Sequence, residues 1–237
     1  MGDNIKQLLA RSRTVLKGAS LELQLRNPYA RKLGQVNNML HWLDCCDTSL
    51  SYCEREYQNV AKYVLNATNK PVQIIEYRSC AEGIEHPTFI IVNKSDYANE
   101  LEAFITLYSH QLEHSEEWYL KDINPDNIEA YLDNTLYPYL REFEYKLLDE
   151  SNVLADTAWY SEQALDRILN SRKEFESSDY RSGLYENGQR LEVDDDYLFP
   201  VEGRFCQGLS LRSDWNDVEM FYETTQEYVL FVWWTGA

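Results

Sequence analysis

Between Pro28 and Asn66 the chain repeats apolar residues at a fixed spacing, and few folds accept that pattern. Val36, Leu43, Leu50, Tyr57 and Val64 recur every seven residues, and Met39, Cys46, Cys53 and Val60 follow the first four by three. Apolar positions spaced this way form one face of an α-helix. An unbroken helix here would be about 55–60 Å long, at a rise of about 1.5 Å per residue. Leu40, Trp42, Ala61 and Tyr63 widen the stripe, which suits a bundle better than a two-stranded coiled coil. Asp47, Thr48 and Ser49 can cap a new helix near Leu50, so the alternative is two helices with a kink. A seam over 36–64 serves as core or as a face where two copies of the chain meet.

The rest of the chain reads as α+β. Asn4 to Lys17 is a basic amphipathic helix with Ile5, Leu8, Leu9 and Leu16 on one side. Residues 72–77 and 87–92 are short and rich in β-branched and aromatic residues, and read as a hairpin. Three helices follow. One runs from Ser95 to about Lys121, with a stripe of Leu101, Phe104, Ile105, Tyr108 and Leu112. The next starts at Asn124-Pro125-Asp126 and is kinked at Pro138. The third starts at Ser151 with a stripe of Leu154, Ala158, Leu165, Ile168 and Phe175. Residues 177–202 are polar and read as a long surface connection. Three tail segments, 204–212, 218–223 and 228–234, form a meander. The last of them is apolar on both faces, as a central strand requires.

The expected architecture is therefore a helical bundle layer of about five to six helices, one of them heptad-patterned. It packs on a small, mostly antiparallel sheet of about five strands. A single domain over 1–237 is the first reading. The alternative is a mainly helical 1–179, carrying the 72–92 hairpin, followed by a β-meander region at 180–237.

Charge narrows the function classes. The net charge is −18. Residues 1–35 hold seven basic side chains against Asp3 and Glu22, a net of +5, so the remainder carries −23. Such a body repels nucleic acid and anionic membrane and attracts a basic protein partner. Glycine is scarce, at 9 residues, and no phosphate-cradling motif is present, which argues against common nucleotide-dependent enzymes and calls for no cofactor. The sequence has no membrane-length apolar run and no apolar signal-peptide core. Its five cysteines form no C-x-x-C pair. These features place the protein in the cytoplasm with reduced thiols.

Two constellations carry chemistry. His110, Glu113 and His114 match H-x-x-E-H, in which two histidines one turn apart bind zinc and the glutamate acts as general base. A metal-dependent hydrolase is the alternative function on that motif. The second constellation pairs carboxylates with aromatic residues in the polar segments. Asp194, Asp195, Asp196, Tyr197, Tyr180, Tyr185 and Trp215 supply charge for steering and rings for anchoring. The leading expectation is a non-enzymatic acidic protein that occupies a basic partner, of the inhibitor, immunity-protein or DNA-mimic type. A scaffold built on the heptad helix is a further alternative.

Overall fold

The computed structural model describes residues 50–79, 86–115, 119–143, 146–148, 150–171, 182–192 and 200–236. The chain divides into two compact units, each assembled from two segments. Residues 1–71 go with 94–147, and residues 72–93 go with 148–237.

The first unit is helical. Helix α1 (Leu50–Ala67) packs on α2 (Glu100–Ser115). Val60 and Val64, two members of the heptad seam, are buried in the chain's own core. The expected helix at 4–17 and the first half of the heptad seam lie outside the described residues. Asn99 caps α2: its side chain accepts the Glu102 N–H at 2.9 Å, and Glu102 reaches back to the Ala98 N–H at 2.8 Å. This exchange satisfies donors left open at a helix start. Helix α2 carries no narrow stripe. Every residue from Glu102 to Ser109 is buried, with the Ser109 hydroxyl donating to the Ile105 carbonyl at 2.7 Å. Helix α3 runs continuously through Ile128–Tyr131, Leu132–Leu136 and Tyr137–Glu142, and its middle segment is a π-helical turn. The wide turn lies just ahead of Pro138, which lacks the N–H that a regular helix needs and crowds the preceding carbonyl. The kink expected from the sequence takes this form.

The second unit holds a sheet and one helix. Its strands are β1 (Gln73–Arg78), β2 (Thr88–Asn93), β3 (Gly183–Glu186), β4 (Gln189–Arg190), β5 (Phe205–Asp214), β6 (Asp217–Thr224) and β7 (Glu227–Trp234). All pairings are antiparallel, in the order β5-β6-β7-β2-β1-β3-β4. Strand β7 lies between β6 and β2, with Val229 opposite both Tyr222 and Ile91. Helix α4 (Glu150–Ser171) covers one face. There Val153, Ala164 and Ile168 meet Ile75, Tyr77, Phe89, Leu184, Tyr222, Phe231 and Trp233.

Three expectations need correction. The helical bundle layered on about five strands is replaced by four helices, among the described residues, and a seven-stranded antiparallel sheet. Two of those strands sit in the stretch read as a surface connection. The β3–β4 hairpin turns at Asn187-Gly188, both at positive φ, and its residues 186–190 are polar enough to hide a short buried strand. Among the described residues of the sheet's own unit, α4 is the helix that covers it. Finally, the buried side of α4 is wider than the expected stripe. Ile168 is buried and Leu165 packs partly buried on the core as expected, but Val153, Thr157, Ser161 and Ala164 complete that side, while the Leu154 side chain and Phe175 lie outside the described residues. Thr157 and Ser161 donate to the carbonyls four residues back at 2.8 and 2.7 Å, so their hydroxyls are satisfied without water. Their small size leaves room for the large rings of the sheet.

Candidate partner-binding surface

One end of the sheet gathers polar and aromatic side chains on the face opposite α4. The register sets a row across all seven strands: Arg190, Tyr185, Glu76, Thr88, Val232, Glu219 and Arg212 stand in direct succession. Side chains that are opposite partners in an antiparallel ladder share a face and touch. The row bonds within itself at both flanks. Arg78 reaches Glu76 at 2.8 Å and lies over the Tyr185 ring at 4.2 Å. Arg212 reaches Asp217 at 2.7 Å and Glu219 at 3.6 Å.

Between these charge pairs lies an aromatic strip. Trp234 pairs with Asp217 across the ladder and is 43 % exposed. Its ring lies 5.1 Å from that of His86, whose N–H donates to the Trp234 carbonyl at 3.3 Å. Half-buried in this position, His86 is held below its ordinary pKa by burial first and by the Arg78 charge second. The strip ends at the turn between β5 and β6. Asp214 pairs with Asp217 to close the hairpin, and the Asn216 carbonyl accepts the Thr235 N–H at 3.0 Å. Trp215, at the tip, is 76 % exposed.

The sequence-derived site residues are thus partly brought together. Trp215 stands out into solvent, as anchoring requires. Tyr185 belongs to the same end of the sheet but is buried beneath Arg78, so it supports the surface and does not grip a partner. Tyr180, Asp194, Asp195, Asp196 and Tyr197 lie outside the described residues. Sequence reasoning missed Trp234, His86 and Arg78. Trp234 belongs to the segment expected to be apolar on both faces, but it ends its strand and is exposed, whereas its neighbour Trp233 is buried.

The H-x-x-E-H residues are engaged in the helical unit. His110 is mostly buried, because the burial of α2 runs round nearly the whole helix. Its Nε2 lies 3.4 Å from the Ala67 carbonyl at the end of α1, and its Nδ1 lies 3.8 Å from Glu113. Glu113 accepts the Leu120 N–H at 3.2 Å. The side chain of His114 lies outside the described residues. Among the described residues no group of three or more His, Cys, Asp or Glu is gathered as a metal site would need, and no helix is long and apolar enough to cross a membrane. No protein-family model, no curated protein and no solved structure matches this chain.

Proposed function

We propose that this protein is a non-enzymatic binding protein that occupies a basic protein partner, with Trp215 as an anchor. The observation that carries the reading is the exposure of that tryptophan at a hairpin tip, 76 %, between Asp214 and Asp217. A large ring on a rigid strand end is the residue type that supplies binding energy at interfaces, and carboxylates around it steer a cationic surface. The −23 carried by residues 36–237 adds long-range attraction. Inhibitors, immunity proteins and DNA mimics share this composition. Cytoplasmic action is part of the same reading.

The test starts from the partner that co-purifies from native cells and is released by raised salt, and it ends on kinetics with that purified partner. The on-rate falls as salt rises, because exposed charges are screened beyond about 8–10 Å. Trp215→Ala raises the off-rate about tenfold or more. Replacing Asp194, Asp195 and Asp196 together by Asn lowers the on-rate and leaves the thermal melt in place. A partner without a basic surface, or a Trp215→Ala protein that binds like the parent, removes the reading.

A further inference from the structure

The β3–β4 turn carries a chemistry of its own. Asn187-Gly188 is the one place in the chain where glycine follows asparagine. Both residues take positive φ, 48° and 77°, as a two-residue hairpin turn requires. Both are exposed, and a Cβ added to Gly188 would meet nothing within 4 Å. The Gly188 nitrogen therefore has no side chain beside it to hinder attack on the Asn187 amide carbon.

The same asparagine fastens the hairpin to β1. Its N–H donates to the Ile74 carbonyl at 2.8 Å, and its Oδ1 accepts the Ile74 N–H at 3.0 Å. The side-chain oxygen thereby extends the ladder one step past the Ile75–Glu186 pair. Gln73 adds a second tie, donating from Nε2 to Glu186 at 2.7 Å. While Oδ1 is held on β1, the amide carbon is tethered to the neighbouring strand. Closing a ring onto the Gly188 nitrogen requires that tether to be released. Asn170 also precedes a small residue, Ser171, but there the backbone N–H groups are engaged in the ladder of α4.

We propose that Asn187 is a self-modification site, gated by the docking of the β3–β4 hairpin on β1. When the hairpin lifts, the Gly188 nitrogen loses its proton to hydroxide and bonds to the Asn187 side-chain carbonyl carbon. The amide carbon–nitrogen bond breaks, and the nitrogen takes a proton from water and leaves as ammonia. A five-membered succinimide ring remains. Water then opens that ring at either carbonyl. Attack at the main-chain carbonyl gives isoaspartate, and attack at the side-chain carbonyl gives aspartate.

The two products act differently on the sheet. An aspartate still accepts from the Ile74 N–H. Isoaspartate routes the backbone through the former side chain and adds one carbon to it, so the turn no longer presents its N–H and its oxygen to Ile74 together. The hairpin that bears Tyr185 and Arg190 then loses its register on β1. This chemistry stands whether or not the sheet end binds a partner.

The test keeps the full chain in mildly alkaline buffer and follows it by peptide mapping in a mass spectrometer, beside a synthetic peptide of residues 183–190. Asn187 converts from amide to acid, and an isoaspartyl methyltransferase labels the isoaspartate. The peptide has no β1 to dock on and converts about tenfold or more faster than the protein, as local opening of a docked hairpin dictates. Gln73→Ala removes the neighbouring tie and brings the rate in the protein closer to that of the peptide. The aged parent melts below the fresh protein. Asn187→Gly tolerates the positive φ without an amide, and its melt does not change on ageing. The inference is overturned if Asn187 keeps its amide in the folded protein, or if protein and peptide convert at equal rates. It is also overturned if Gln73→Ala leaves the rate unchanged, or if the converted parent melts like the fresh one.

Discussion

At Gly208, strand β5 lies against β6 with no room for a side chain. A methyl group there would sit 2.5 Å from Tyr222 Cβ and 2.9 Å from the Phe221 carbonyl oxygen. Both neighbours belong to the ladder and cannot swing aside. Gly208→Ala is expected to destabilise by about 1–3 kcal/mol, the range for overpacking, and urea melts measure it. His86 gives a different handle. Its imidazole is held below the ordinary value near 6.5, so the unfolded chain takes up a proton before the folded one does. Its contribution is complete above about pH 6.5 and is lost as the pH falls through the folded value. Thermal melts at pH 7.5 and 5 should therefore diverge more for the parent than for His86→Gln. Equal slopes would place His86 outside the titrating groups. Neither residue was legible in the sequence. A glycine in an alternating strand does not name its cross-strand neighbour, and His86 acquires its surroundings from Trp234, far along the chain.

Among the elements, β7 was the most legible and α4 the least. Seven apolar residues without alternation require cover on both faces, and β7 has neighbours on both edges as well. Val229, Leu230 and Phe231 are fully buried, and Val232 and Trp233 nearly so. Each such side chain stabilises by about 1.5–3 kcal/mol through burial. Together they match the whole stability of a domain, about 5–15 kcal/mol. Removing residues 228–237 should leave no cooperative melt by circular dichroism. A melt near the parent temperature would show that the sheet closes without this strand. In α4 the apolar count misled in part, because the back-bonded Thr157 and Ser161 share the buried side with Val153, Ala164 and Ile168, and Tyr160 packs on Phe231 and Trp233 while Trp159 is exposed. Hydrophobicity alone does not separate a ring that packs from its neighbour that stays exposed. The β3–β4 hairpin was hidden for a related reason: only Gly183, Leu184 and Tyr185 are buried, too few to set a period.

For the whole molecule, the α+β class was readable, because helical and strand periodicities differ and both recur along the chain. The distribution of elements between units was not. That is set by pairings over long sequence distances, which periodicity does not report. Charge was fully legible and bears on encounter with a partner rather than on fold. The path of the chain through the sheet has a further result. Ile91 pairs with Val229 across 138 positions, and β1 pairs with β3 across more than a hundred. Closing such loops loses chain entropy before any contact compensates it, so folding of this unit is governed by a slow search. Throughout that search the β1–β2 hairpin shows Phe89, Ile90, Ile91 and Val92 on an open edge. An early, half-built sheet of this kind invites the wrong strand from another chain, and refolding yield should fall as protein concentration rises.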